Sequence, residues 1–251
     1  VSADAPPVDL EDALAVVGYG AAALDQALEA RLADALDHAP AAALVMRLEE
    51  LRRAMLADDP RASRRGIGLI GRLMGRDVHA ETEAAQLRDR LGVLLAQADR
   101  EAGALRNRVV MQKALQSEVR QAVARIDATI ATARGWLDAH PDAGATQGIV
   151  ASPRQRLQQR LQQLDTVQAS WSIGADQLAL LRDQSLELLA RYQRIRDVLL
   201  PAWRQHALGD AALAGGRRAL AAADAQAAIE SEVAAMAGTL DPQPAPPQAR
   251  E

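Results

Sequence analysis

Apolar residues recur every three or four positions along most of the chain, and no segment alternates in the manner of a strand. From Ala80 to His140 the series Leu87, Leu91, Leu94, Ala98, Ala102, Leu105, Val109, Gln112, Gln116, Val119, Val123, Ile126, Ile130, Ala133 and Leu137 steps mostly by alternating threes and fours. One step, from Ala98 to Ala102, breaks the alternation and is expected to unwind a supercoil locally. A helix of about 60 residues rises roughly 90 Å, so it must pair with a second long helix or stay exposed over much of its length. The next segment supplies that partner through Leu157, Leu161, Leu164, Trp171, Leu178, Leu181, Leu188, Tyr192, Ile195 and Leu199. Between the two lies His140 to Ser152, rich in turn formers, and Ser152-Pro153 provides a cap followed by a first-turn proline. Two long helices joined by a short loop lie antiparallel, each burying a stripe that neither can bury alone.

Punctuation divides the rest. Residues 1–8 read as a disordered leader and residues 9–60 as N-terminal helices. Asp9, with Asp12 three residues on, resembles a helix start. That helix is expected to break at Gly18-Tyr19-Gly20, resume through Leu24, Leu28, Leu32 and Leu36, and stop before Pro40. A further helix spans about Ala42 to Leu56. Residues 61–79 form a Gly/Arg-rich connecting segment, and residues 80–238 hold the long antiparallel hairpin and a C-terminal helix. Pro201 lacks a backbone donor and is expected to kink or restart the second long helix. The proline-rich residues 239–251 read as a disordered tail. The fold class expected is all-α: an elongated antiparallel long-helix hairpin, or coiled-coil-like bundle, with shorter N-terminal helices.

Composition sharpens this picture. About half of the 251 residues are apolar, yet aromatics make up only 2% and phenylalanine is absent, so the core must be thin layers of Leu, Ala and Val. There is no cysteine, which excludes disulfides, thiolate metal sites and a Cys nucleophile. The uncharged stretch Ala13 to Leu24 is far too short to span a membrane. A cytoplasmic location, with peripheral contact at the inner membrane, fits these features.

Charge is unevenly placed. The net charge is −4, but no acid occurs between Pro60 and Asp77, where Arg61, Arg64, Arg65, Arg72 and Arg76 lie within or beside GIGLIGRLMGR. Gly66, Gly68 and Gly71 spell G-x-G-x-x-G, but a dinucleotide fingerprint needs a preceding buried strand, and Pro60 to Arg65 is not one. The segment reads better as an amphipathic turn whose Ile67, Leu69, Ile70, Leu73 and Met74 dock on helices. Arg64, Arg65, Arg72 and Arg76 then pair with neighbouring acids, lie on anionic lipid, or fork onto an oxyanion.

His38, His79, His140 and His206 fall on four different segments, and the pair His79 and Glu83 has no second pair to complete a metal site. Trp171 and Trp203 fall near the apolar stripes and read as core anchors. Negative charge and the lack of a basic face interleaved with aromatics argue against nucleic acid. No nucleophile–base arrangement or phosphate loop is visible. The expectation is a non-enzymatic protein without cofactor or metal, working through a protein partner or an anionic membrane surface, in an oligomeric state the sequence leaves open.

Three features in order resemble the bacterial toxic-anion-resistance family, the TelA-type tellurite-resistance proteins. They are Gly18-Tyr19-Gly20 followed by Leu24-Asp25-Gln26; the stretch Gly68 to Arg76 with Gly71 and Gly75; and Leu200-Pro201-Ala202-Trp203-Arg204-Gln205. Family members tend to be longer and richer in tyrosine and lysine, whereas only Tyr19, Tyr192 and Lys113 occur here. The resemblance implies an all-helical, non-catalytic protein linked to tellurite resistance and cell-envelope stress. It carries no anion-binding residues to transfer. Two alternatives stay open: a general helical scaffold or adaptor unrelated to tellurite, and a direct oxyanion binder using the arginine cluster.

Overall fold

The computed structural model describes residues 6–36, 39–57, 76–141, 152–207 and 215–240. Among them no strand occurs, and the elements are α1 (Ala13–Gly18), a 3-10 turn (Ala21–Ala23), α2 (Gln26–Ala35), α3 (Ala39–Ala57), α4 (Arg76–Ala139), α5 (Pro153–Arg194), a π turn (Ile195–Leu199), α6 (Leu200–Ala207) and α7 (Gly215–Leu240). The protein is all-α, and α4 and α5 are its two long helices. The chain divides into two units, one of Val1–Asp37 with Val110–Arg182 and one of His38–Val109 with Asp183–Glu251.

In the first and smaller unit, α4 and α5 run antiparallel. Arg120 meets Asp176, Arg134 meets Asp165, and Arg154 donates to Leu137 O, so partner numbers fall along α5 as they rise along α4. The shared seam holds Val119, Ala122, Ile126, Leu157, Leu161 and Leu164, and α2 closes it with Leu28, Leu32 and Ala35. The start of α5 follows the sequence expectation. Gln155 N donates to Ser152 Oγ at 3.3 Å and Ser152 N donates to Gln155 Oε1 at 2.9 Å, a reciprocal capping box ahead of Pro153. Residues 142–151 of the expected turn lie outside the described residues.

The second and larger unit packs α3 and α7 around the other halves of α4 and α5. Its core contains Leu44, Leu48, Leu51, Met55, Leu91, Leu105, Tyr192 and Trp203, and α7 faces it with Ala225, Ile229, Val233 and Met236. Those four step by four, four and three, the signature of one helix face. Ala98 and Ala102, at the break in the heptad, are fully buried. Their short side chains let a neighbouring helix approach where Leu would hold it off.

Several boundaries differ from the sequence reading, each for a local reason. The first helix starts at Ala13 because Asp12, not Asp9, supplies the cap by accepting from Leu14 N. Asp9 instead accepts from Glu11 N in a short turn of its own. Pro40 stands second in α3, where its missing donor costs nothing. The long helix begins at Arg76, inside the expected connecting segment. Of the expected leader, residues 1–5 lie outside the described residues, while Val8 packs partly buried on the smaller core. The tail from 241 onward also lies outside them.

Candidate functional site

The first and third motifs fall at two docking points, one in each unit. In the smaller unit, α1 ends at Gly18 and the chain must reverse toward α2. Gly20 makes the reversal with φ +74°, a left-handed conformation that L side chains rarely adopt. It also lies so close to α5 that an added Cβ would stand 2.7 Å from Leu164 Cδ1. Gly18 meets open space, so only the second glycine of the pair is required by geometry. Asp25 then caps α2 by accepting from Leu28 N at 3.1 Å, and Gln26 is the first helical residue.

Tyr19, between the glycines, fastens this turn to both long helices. Its hydroxyl donates to Thr129 O on α4 at 2.8 Å, and its carbonyl accepts from Arg160 Nε on α5 at 2.9 Å. Burial pushes its phenol above the ordinary tyrosine value. Further along, Arg31 forks onto Glu118 with bonds of 2.7 and 3.3 Å. That bond holds the Glu118 carboxyl below its usual value and raises Arg31.

Two glutamines complete the smaller unit's fastening. Gln112 Nε2 donates to Ala35 O, the open C-terminal end of α2, at 3.2 Å. Gln116 Nε2 donates to Ala175 O at 3.1 Å while its Oε1 accepts from Arg182 at 2.8 Å. Both are buried within an otherwise apolar stripe. Beside them an added Cβ on Gly174 would stand 2.7 Å from Leu32 Cδ2, so α2 and α5 nearly touch there.

In the larger unit the docking point is built around Pro201. An α-helical proline in that place would leave the carbonyl four residues back without its donor. Just before it the helix widens into the π turn Ile195–Leu199, in which Leu200 N reaches back five residues to Ile195 O. The expected restart of the helix therefore takes the form of a π turn running directly into α6. Two residues past Pro201, Trp203 is fully buried against the core shared with α3 and α7. Pro201 and Gln205 face solvent, whereas Arg204 is half-buried and its Nε has no hydrogen-bond partner among the described residues.

Just before the turn, Tyr192 is fully buried and its hydroxyl donates to Asp99 on α4 at 2.8 Å. Burial first, then the hydrogen bond to Asp99, drives this phenol far above the ordinary value. Arg196 shares the same carboxylate at 3.3 Å. Glu232 on α7 accepts from Arg191 at 2.9 Å and Arg194 at 2.8 Å, tying α7 to α5.

Sequence reasoning proposed a different centre. Arg64, Arg65, Arg72, Gly68, Gly71 and Gly75 lie outside the described residues, and Arg76 is placed only as the first residue of α4. Sequence reasoning also missed Arg160, Gly174, Asp99 and Glu232. For Gln112 and Gln116 a signal was present, since they are the two polar members of an apolar series. Among the described residues no cluster of three metal-compatible side chains occurs, and no helix is long and apolar enough to cross a membrane.

No protein-family model matches the chain, and no solved structure matches it. It is similar to Protein KlaA of Escherichia coli. The two are 29% identical over 180 residues, which cover 70% of each chain. That length exceeds either unit, so the likeness to KlaA reaches beyond a single bundle. It supports a distant relationship between the two proteins.

Proposed function

We propose that this chain is a non-catalytic bacterial resistance protein of the toxic-anion, TelA-type class, acting in the cytoplasm through a protein partner or the inner-membrane surface. The observation carrying this reading is the use made of the motif residues. Gly20, Asp25 and Trp203, three of those behind the family resemblance, turn, cap and anchor helices. Residues spent on fastening helices leave function to the surfaces that those helices display. The distant likeness to KlaA across most of both chains gives the reading further support.

The glycine-arginine segment supplies the contact chemistry. Arg64, Arg65, Arg72 and Arg76 concentrate positive charge in an acidic chain, and they are flanked by aliphatics. Each arginine near an anionic surface contributes about 1 kcal/mol. The test is complementation of a deletion strain challenged with tellurite. The wild-type chain restores tolerance, and a variant with all four arginines changed to Ala does not, although its circular dichroism is unchanged. A deletion strain of unaltered tolerance would sink the proposal. Flotation with neutral and anionic vesicles, alongside co-purification from tellurite-treated cells, separates lipid from protein as the contact.

A further inference from the structure

The stripe by which α2 packs on the long helices uses one residue type at one spacing. Leu24, Leu28, Leu32 and Leu36 follow at four-residue intervals, the middle two buried and the outer two partly buried on the same core. Leu32 fills the notch left by Gly174, its Cδ2 2.7 Å from where a Cβ would stand. A slide of α2 by one turn, about 6 Å, would set Leu28 in that notch and Leu24 in the place of Leu28. Unwinding the 3-10 turn Ala21–Ala23 supplies most of that length, since a rise of ~2.0 Å per residue becomes ~3.3 Å when extended. Apolar burial has no direction, so the leucines alone leave two positions of α2 close in energy.

The polar contacts of α2 are not repeated along it. Gln112, only 3% exposed, donates through Nε2 to Ala35 O at 3.2 Å. Ala35 is the last residue of α2, so its carbonyl belongs to the final turn, which lacks intrahelical donors. After the slide Gln112 would face Arg31, whose carbonyl lies inside the helix and is taken by the helical pattern. Its Nε2 would then be buried without an acceptor. Arg31 would also leave Glu118, but that pair is half exposed and contributes little. The amide carries a cost of its own, because its Oε1 is buried with no hydrogen-bond partner among the described residues. We infer that α2 is a one-turn ratchet and that Gln112 is the positioning residue that holds it in one register. A buried polar group that fixes alignment at some cost in stability acts as a lone asparagine does in a coiled-coil seam. Displacement of a packed helix by one turn is an established form of two-state change.

Methyl NMR of the full chain reads the register directly. In the wild type, nuclear Overhauser contacts to Gly174 come from the Leu32 methyls and not from those of Leu28. In Gln112→Leu the slipped register gains about tenfold in population, the worth of one buried hydrogen bond, and a second set of α2 signals joins Leu28 to Gly174. The urea midpoint of this variant stays at or above that of the wild type, because the unpaired Oε1 is gone and leucine continues the apolar series. The double variant Gln112→Leu with Leu32→Ala opens a hole over Gly174 that Leu28 fills by sliding, so the slipped set becomes the major one. A Gln112→Leu chain that keeps a single register, whether or not its midpoint falls, would overturn the assignment. So would a folded double variant in which Leu28 stays away from Gly174.

Discussion

The two units solve the same packing problem with different chemistry. In the smaller one, what covers the long helices is a broken segment: a six-residue helix, a 3-10 turn and a ten-residue helix. Such a segment ends often, and each end leaves backbone carbonyls without partners. Side chains of the long helices answer them, Arg160 at Tyr19 O and Gln112 at Ala35 O. In the larger one the covering elements α3 and α7 are regular helices of 19 and 26 residues that satisfy their own backbones. Its fastening is therefore a broad apolar core with side-chain pairs at the rim, such as Arg191 and Arg194 on Glu232. Irregular cover calls for backbone-directed polar side chains, and regular cover does not.

The largest expected effect tests the apolar half of that contrast. Trp203→Ala removes the largest fully buried side chain and should cost about 3–5 kcal/mol. Because α3, α6 and α7 all meet there, loss of the larger unit's protection is expected by hydrogen exchange, with the smaller unit's amides little changed. Uniform loss in both units would mean that they do not differ in how they are held.

Next comes the turn in the smaller unit. Gly20→Ala must place a methyl in left-handed backbone and 2.7 Å from Leu164, and should cost about 2 kcal/mol or more. Gly18→Ala, into open space at a helix end, should be neutral or gain a few tenths. Urea melts of the pair measure the difference directly. Equal costs would show that the close approach to α5 does not constrain the turn.

That pair also marks how far the sequence could be read. The long helices were legible because burial imposes a period, and members of the series from Leu87 to Leu137 are buried or half-buried. The break at Gly18-Tyr19-Gly20 was legible too, since glycines punctuate helices. Which glycine is essential was not, because that depends on Leu164, far along the chain. The partners of Asp99 and Glu232 were hidden for the same reason. A surface acid in a helix looks alike in sequence whether it meets water or an arginine on another helix. Pro201 announced a disruption, but a π turn and a kink answer a missing donor equally well on paper.

A smaller effect compares the two tyrosines, one in each unit and the only two in the chain. Burial raises both phenols, and in Tyr192 the bond to Asp99 raises it further. Stability from a raised phenol is complete below the ordinary value near pH ~10 and is lost as pH climbs through the raised one. Tyrosinate absorbance should therefore show Tyr19 titrating first, with Tyr192 ionising only as the larger unit opens. Tyr192→Phe should remove the later step and cost about 1–2 kcal/mol, and Tyr19→Phe about 1 kcal/mol. Simultaneous titration at the ordinary value would refute the burial of both.

The smallest effect belongs to Arg31 and Glu118, the ion pair between α2 and α4. Both side chains are about half exposed, so water and salt screen the attraction, and its share of stability is expected to be slight. Its signature is protonic. The forked hydrogen bond from Arg31 favours ionised Glu118, so the carboxyl should titrate below an ordinary glutamate by NMR. The stabilisation is present above the ordinary glutamate value and disappears as pH falls through the lowered one. Arg31→Gln should return the titration to normal, and 1 M salt should move it partway there as screening shortens to about 3 Å. The Gln112 bond joins an amide to a backbone carbonyl and has no titration, and the Tyr19 bond is lost only on the alkaline side. If Arg31→Gln destabilised the smaller unit as much as Tyr19→Phe, charge pairing would rank beside backbone-directed bonds there, and the division of labour between the units would fail.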